Sequence, residues 1–174
     1  MARKELWSWV KTLLVAVVLA LILRQYVLAF FVVDGSSMLP TLKDGQMVAV
    51  NKLAYRIGSL KHGDVAVFEA KKTAIGPTEK RVLIKRIIAL PGDTIAISAG
   101  KVLLNGEELR EDYTDVLIDT DMELLLIEEG QVFVMGDNRN PRGSWDSREF
   151  GPIPMDSIMG KAFLIIYPIP KRVK

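Results

Sequence analysis

Serine and lysine are the residue types in this chain that could carry hydrolytic chemistry. The 174-residue sequence contains no cysteine and a single histidine, His62. These counts exclude a thiolate nucleophile, a cysteine metal site and a multi-histidine zinc site. A Ser-His-Asp triad would have to use His62. A serine nucleophile with a lysine base is the remaining pair, because a neutral amine can take the proton of a serine hydroxyl near neutral pH.

The best-known spacing for such a pair, S-x-x-K, occurs twice, and neither occurrence fits the chemistry. Ser8-Trp9-Val10-Lys11 runs into the apolar N-terminal segment. Ser98-Ala99-Gly100-Lys101 spans a predicted hairpin turn, whereas this motif belongs on a helix. We therefore reject both as catalytic pairs.

Ser37 and Lys85 are the other candidates for this pair. Ser37 belongs to the segment Asp34-Gly35-Ser36-Ser37-Met38-Leu39-Pro40-Thr41-Leu42, where glycine and serine are typical of a turn. Lys85 lies within residues 81–90, an apolar run that predicts a strand. The residues alone favour an exposed lysine on an edge strand. The alternative is a lysine among apolar neighbours, where desolvation would lower the pKa of its amine.

A third cluster combines Gly136-Asp137-Asn138-Arg139 with Asp146-Ser147-Arg148. Its composition predicts a hydrogen-bonded turn network held by ion pairs. Either aspartate could also bind a metal or act as an acid, but no carboxylate-rich loop completes a calcium site. We expect no metal and no other cofactor.

The first 33 residues predict a membrane anchor. Residues 1–11 form a cationic tail and residues 12–33 a transmembrane and juxtamembrane segment, and the apolar length just meets the requirement for a spanning helix. Positive charge before the helix predicts a cytoplasmic N-terminus and an extracytoplasmic remainder in a single-pass cell-membrane protein. A cleaved secretory signal ending at Val27-Leu28-Ala29 is the alternative, although the apolar stretch resumes at Phe30-Phe31-Val32-Val33.

Residues 34–174 predict a mainly β domain with a mostly antiparallel sheet. Short runs rich in branched residues alternate with glycine and proline, and Asn105-Gly106 is the strongest hairpin pattern in the chain. Residues 122–129 fit a short helix or, slightly better, a strand and turn. The absence of intervening helices argues against an α/β fold. The strands are expected at residues 47–50, 65–68, 82–84, 87–90, 94–98, 101–104, 131–135 and 162–167.

The basic residues are scattered and form no stripe interleaved with aromatic residues, so the sequence predicts no nucleic-acid binding.

Several motifs in order make the chain resemble the bacterial type I signal peptidases, membrane-bound enzymes with a serine–lysine dyad. These serine endopeptidases remove N-terminal signal peptides from exported preproteins. The resemblance covers nearly the whole chain, and its specificity comes from all the motifs together behind an N-terminal anchor. The matching motifs are Ser37-Met38-Leu39-Pro40-Thr41-Leu42, Gly63-Asp64-Val65-Ala66-Val67-Phe68, Lys85-Arg86-Ile87-Ile88-Ala89-Leu90-Pro91-Gly92-Asp93, Gly136-Asp137-Asn138-Arg139 and Ser144-Trp145-Asp146-Ser147-Arg148.

The resemblance implies a role for each matching residue. Ser37 would be the nucleophile, with its backbone N–H in the oxyanion hole, and Lys85 the general base. Ser144 would orient the lysine amine. The implied partners are the cleavage regions of secretory preproteins and the lipid bilayer, and no nucleic acid. The residues implied to brace the site through ion pairs are Asp137, Asp146, Arg148 and Arg86.

Two departures from the family pattern affect these roles. Some members carry a side-chain hydroxyl where this chain has Gly35, so a backbone donor or Ser36 must complete the oxyanion hole, or the hole is weaker. Residues 140–143 also lengthen the loop before Ser144.

The expected substrates end in small residues, so we expect shallow apolar pockets near Ser37, lined by residues 30–33 and 82–84. A non-catalytic, membrane-anchored β module that binds a protein partner is the alternative function. A self-cleaving serine–lysine peptidase is a third, against which the anchor and the missing DNA-binding region argue.

Overall fold

The computed structural model describes residues 2–55, 58–71, 80–114 and 116–173. Helix α1 (Ala2–Ile22) continues into a π-helical turn (Leu23–Val27), and a short helix α2 (Ser147–Phe150) and a 3-10 turn (Met155–Ser157) lie near the C-terminus. The strands are β1 (Leu28–Val32), β2 (Met47–Asn51), β3 (Val65–Lys71), β4 (Lys80–Ala89), β5 (Thr94–Ser98), β6 (Lys101–Leu104), β7 (Glu107–Glu108), β8 (Met122–Leu126), β9 (Gln131–Met135), β10 (Ile153–Pro154), β11 (Ile158–Tyr167) and β12 (Lys171–Arg172).

Helix α1 has the length and composition to cross a membrane. The apolar span covers Glu5–Val27, which is 23 residues, against roughly 20 needed for a bilayer core. Its side chains are exposed from residue 5 to residue 21, and an apolar helix with no covered face is typical of a membrane segment. The expectation of one N-terminal apolar helix is confirmed.

The larger sheet carries Lys85 on β4, and the turn that follows its first strand, β1, carries Ser37. Its strand order is β1-β2-β11-β3-β4-β9-β10, with β12 beside β11, and every pairing is antiparallel. The segment after β1 folds onto this sheet because Met38 and Leu42 bury completely in a core cluster with Val48 and Val50 of β2. The predicted mainly antiparallel β fold is confirmed.

Strand β4 is one continuous strand where two short runs were predicted. Polar Lys85 and Arg86 separate the apolar residues in sequence, but they lie in the middle of the strand. β4 pairs with β3 on one side and β9 on the other. An edge-strand position for Lys85 is therefore wrong, and its side chain is only 3% exposed.

Strand β1 was not predicted as a strand, because Leu28–Val32 was assigned to the juxtamembrane segment. It pairs along its length with β2, from Leu28 opposite Asn51 to Val32 opposite Met47. Its residues form a continuous apolar run, which has no period that distinguishes a strand from the end of a membrane segment.

The smaller sheet has the strand order β7-β6-β5-β8. The predicted turn at Asn105-Gly106 joins β6 to β7, and both residues have the positive φ that this kind of turn requires. Met122–Leu126 forms strand β8 beside β5, which confirms the strand interpretation over the helical one. A core cluster that includes Ile95, Ile97 and Phe133 packs this sheet against β9.

Candidate active site

Ser37, in the turn after β1, meets Lys85 of β4 although the two residues are 48 positions apart in the sequence. The Lys85 Nζ donates to Ser37 Oγ over 2.6 Å and to the Ile84 carbonyl oxygen over 3.0 Å. A serine hydroxyl within hydrogen-bond reach of an amine is the geometry that a nucleophile and its base require.

Burial controls the protonation of Lys85. Desolvation lowers the pKa of its amine from 10.5 to about 8, and it outweighs the carboxylates of Asp146 and Asp137, which favour the charged form. An amine with this pKa is neutral in roughly one molecule in ten at pH 7, against fewer than one in a thousand for an ordinary lysine.

The loop that carries Ser37 is fixed on both sides. Gly35 has a φ of +89°, which is strained for residues with a Cβ, and its N–H donates to Asp44 Oδ1 over 2.7 Å. On the far side, the Asn138 backbone N–H donates to the Ser37 carbonyl oxygen over 3.1 Å. The Asn138 side chain also donates to the Ser36 carbonyl oxygen, over 3.1 Å. Within the part of the chain that the structure describes, the Ser37 N–H donates no hydrogen bond, so it is available for an oxyanion.

Ser144 lies beside Ser37, and its hydroxyl forms no hydrogen bond with the Lys85 amine. A Cβ added at Gly136 would stand 2.3 Å from Ser144 Oγ and 2.4 Å from the Ser37 carbonyl oxygen. The hydroxyl is buried and close enough to the Asp146 carboxylate to help lower the pKa of that group, but none of its contacts with described residues has hydrogen-bond geometry. Its role in orienting Lys85 therefore stays a prediction.

Asp146 anchors the loop that carries Ser144. Its carboxylate accepts from Arg148 Nε and Nη2, both over 2.8 Å, and from the Gly136 N–H over 2.9 Å. It also caps α2 by accepting from the Arg148 N–H. Burial acts to raise the pKa of Asp146, but its hydrogen bonds and the Arg148 charge hold that pKa below the usual value.

Arg86 and Asp137 form a buried ion pair behind the dyad. Arg86 Nε donates to Asp137 Oδ1 over 2.8 Å and Nη2 donates to Oδ2 over 2.6 Å. The remaining nitrogen donates to the Gly63 carbonyl oxygen over 2.7 Å. The four residues predicted to brace the site form two ion pairs, Arg86 with Asp137 and Arg148 with Asp146, and their role in bracing the serine–lysine pair stays a prediction.

A layer of residues outside this ion pair was not predicted. The Arg86 guanidinium lies 3.9 Å from the ring centroid of Tyr113, close enough for a cation–π interaction. The Tyr113 hydroxyl donates to Glu111 over 2.6 Å, and Glu111 also accepts two hydrogen bonds from buried Arg139. Burial raises the pKa of Tyr113, which keeps this donor protonated. Residues 109–118 carry no apolar period and no motif, so nothing in the sequence marked Glu111 or Tyr113.

A small cavity opens beside Ser37. It encloses about 130 Å³, and it lies where a shallow pocket was expected. The branched side chains of β1, β2, β3 and β4 make it mainly apolar. Its lining consists of Phe31, Val32, Val33, Asp34, Ser37, Val48, Val67, Val82, Leu83, Ile84 and Lys85.

The alternative catalytic and metal-binding residues suggested by the sequence do not form a site in the structure. His62 pairs with Asp93 over 2.7 Å and not with Ser37, which excludes a histidine base for this serine. Lys101 of the rejected S-x-x-K motif pairs with Glu108. The described residues contain no group of three or more histidine or acidic side chains arranged to hold a metal ion.

Comparisons with known proteins identify a family for this chain. Residues 6–167 match the family model described as signal peptidase, peptidase S26. The chain is 35% identical over 180 residues to the signal peptidase I of Bacillus caldolyticus, covering 95% of this chain and 92% of that protein. It is 35% identical over 172 residues to signal peptidase I T of Bacillus subtilis strain 168, covering 92% of this chain and 85% of that protein. A crystal structure of a signal peptidase I from Enterococcus faecalis is 29% identical, with a TM-score of 0.47, and the match covers 60% of this chain and 97% of that one.

Proposed function

The chain belongs to the signal peptidase family, peptidase S26, and we propose that it removes signal peptides from preproteins with Ser37 as nucleophile and Lys85 as general base. The observation that carries this proposal is the 2.6 Å contact between Lys85 Nζ and Ser37 Oγ. The low exposure of the lysine and the lowered pKa of its amine support the same assignment.

The reaction is acyl transfer in two stages. In the neutral form, the Lys85 nitrogen accepts the hydroxyl hydrogen of Ser37 while Oγ attacks the carbonyl carbon of the scissile peptide bond. The ammonium then gives that proton to the departing amine, and the mature protein leaves while the signal peptide stays as an ester on Ser37. A water molecule, deprotonated by the same amine, attacks the ester and releases the signal peptide.

The oxyanion formed in each stage needs a donor positioned in advance. We assign this role to the backbone N–H of Ser37, which is fixed by the anchored loop and donates to no described group. A preorganised donor of this kind stabilises the charge that develops in the transition state. In this scheme Ser144 restrains the Lys85 amine, and the Arg86–Asp137 and Arg148–Asp146 pairs hold the surrounding loops.

The small cavity beside Ser37 is the proposed site for the residue before the scissile bond. Its volume of about 130 Å³ suits a small side chain, as signal peptides carry at their ends. The Glu5–Val27 span would anchor the enzyme with its N-terminal end on the cytoplasmic side, so part of the predicted 1–11 tail would lie within the span. The predicted 12–33 segment would supply the rest of the anchor and, in Leu28–Val32, the first strand of the sheet, with the peptidase domain of residues 34–174 outside the membrane.

A substrate series tests this proposal. Purified full-length enzyme in detergent micelles is incubated with a preprotein whose residue before the cleavage site is alanine, and with the same preprotein carrying tryptophan there. We expect one cleavage after alanine and a rate at least ~100-fold lower for tryptophan, because a ring of that size overfills the cavity. Mass spectrometry of the products locates the cut. Equal cleavage of both substrates would contradict the assigned pocket, and no cleavage of either would contradict the function.

A further inference from the structure

A second cavity lies where the end of the apolar span meets the β domain. It encloses about 610 Å³ and is lined by Leu21, Arg24 and Gln25 from the end of the helical segment, by Leu28, Ala29 and Phe30 of β1, and by Lys52. The lining combines two cationic side chains with an apolar wall and contains no carboxylate. None of these residues takes part in the proposed reaction.

Lys52 is held at this position by the backbone of the π-helical turn. Its Nζ donates to the Gln25 carbonyl oxygen over 2.9 Å, and its N–H donates to the Val27 carbonyl oxygen over 2.8 Å. An ammonium group has three hydrogens to donate, so two of them remain available to a ligand. Neither Lys52 nor Arg24 forms an ion pair with a carboxylate among the described residues.

The cavity lies at the end of the apolar span, and this position determines which part of the membrane surrounds it. The Glu5–Val27 span ends at Val27, so in the anchored enzyme the cavity opens at the level of the lipid headgroups. Tyr26 and Phe30 are both more than half exposed beside it, and aromatic side chains are typical of that level. An occupant must therefore place an anion against Arg24 and Lys52 and apolar carbon against Leu21, Leu28 and Phe30.

We propose that this cavity binds an anionic phospholipid of the leaflet that faces the peptidase domain. The phosphate lies between Arg24 and Lys52, and the first carbons of the acyl chains cover the apolar wall. A zwitterionic lipid brings its own cation, so two uncompensated protein cations favour a headgroup with net negative charge. The inference rests on the proposed membrane anchoring and does not depend on the serine–lysine chemistry.

The experiment measures lipid retention by the full-length protein. The protein is extracted from vesicles of phosphatidylcholine and phosphatidylglycerol, and the lipid that stays bound is identified by native mass spectrometry. We expect one phosphatidylglycerol per chain. Each cation removed should weaken its binding about fivefold, as for a basic residue at an anionic surface, so the double variant Arg24→Gln/Lys52→Gln should lose about 25-fold. Arg24→Gln alone keeps the Lys52 contact to Gln25 and should lose about fivefold.

The control variant Lys61→Gln/Arg172→Gln removes the same charge from two exposed positions away from the cavity and should stay within about twofold of the wild type. Equal losses in the two double variants would overturn the proposal in favour of general surface attraction. Displacement of the bound phosphatidylglycerol by glycerol phosphate or inorganic phosphate at the concentration of the lipid would also overturn the proposal, because the ligand would then be a soluble phosphate.

Two further readouts separate this proposal from the proposed function. Preprotein cleavage in detergent should be unchanged in Arg24→Gln/Lys52→Gln, and Ser37→Ala should keep the bound lipid. A wild-type protein that does not sediment with vesicles would contradict the anchoring itself, whereas a protein that sediments without selecting phosphatidylglycerol would contradict only the lipid site.

Discussion

Replacing Ser37 by alanine is expected to abolish preprotein cleavage, with kcat/KM falling by about 10⁴ or more. Without the hydroxyl no acyl-enzyme can form, and only binding and the oxyanion donor remain to favour attack by water. Folding should be unaffected, because the only hydrogen bond to this hydroxyl among the described residues comes from Lys85. The measurement is the initial rate of cleavage of one preprotein, with circular dichroism to verify the fold.

Ser98→Ala is the matched control for that variant. Ser98 is exposed at the end of β5 and belongs to a rejected S-x-x-K motif, so its loss should leave the rate of cleavage unchanged. Cleavage that persists in Ser37→Ala, or that disappears in Ser98→Ala, would contradict the assignment of the nucleophile.

Replacing Lys85 by methionine should abolish cleavage and stabilise the fold. Activity should fall by about 10⁴ because no base remains to deprotonate Ser37. The buried amine has a pKa lowered from 10.5 to about 8, so the unfolded chain binds its proton more tightly than the folded chain does. This difference costs the wild type about 3 kcal/mol of folding free energy below its folded pKa. Methionine has a similar length and no charge to desolvate.

The pH dependence of that stability gain has a definite sign. The cost is fully present below pH 8, decreases as pH rises through the interval between the two pKa values, and is absent above 10.5. The gain of Lys85→Met in urea denaturation should therefore shrink as the pH rises through this window. Lys101→Met, at an exposed ion pair, should change neither activity nor stability appreciably. A Lys85→Met protein that is inactive and also less stable at pH 7 would indicate a structural lysine instead of a base.

Two opposing electrostatic effects decide the state of Lys85. Asp146 and Asp137 favour the ammonium form, while desolvation opposes it and prevails. Both carboxylates already bind a guanidinium, Arg148 and Arg86 respectively, and Arg148 itself disfavours the ammonium form. The paired arginines thus limit the attraction that the aspartates exert on the amine, which leaves burial as the main influence.

Local patterns in the sequence were sufficient for much of the fold. Alternation and turn residues identified strands β2, β3, β5, β6 and β9, and Asn105-Gly106 identified a turn. These patterns did not identify Leu28–Val32 as a strand, because a continuous apolar run has the same sequence pattern in a buried strand as in a membrane segment. They also divided β4 at Lys85 and Arg86, because a polar pair in an apolar run predicts a break unless the partners of both side chains are known.

The site depends on contacts between distant segments. The residues alone favoured a turn serine and an exposed lysine, and only the ordered motifs of a known family pointed to Ser37 and Lys85 as a pair. The burial of Lys85 results from the position of β4 between β3 and β9, which is a property of the sheet. Tyr113 and Glu111 contact the arginines from a loop without a pattern, so no reading of the sequence could have found them.

The pH dependence of kcat/KM for the wild-type enzyme tests most directly whether a neutral Lys85 is the base. If neutral Lys85 is the base, kcat/KM should rise about tenfold per pH unit at low pH and level off above a single apparent pKa, which should lie near the pKa of about 8 of the buried amine. A rate that is constant from about pH 6 to pH 9, or one that still rises towards the ordinary lysine value of 10.5, would contradict it.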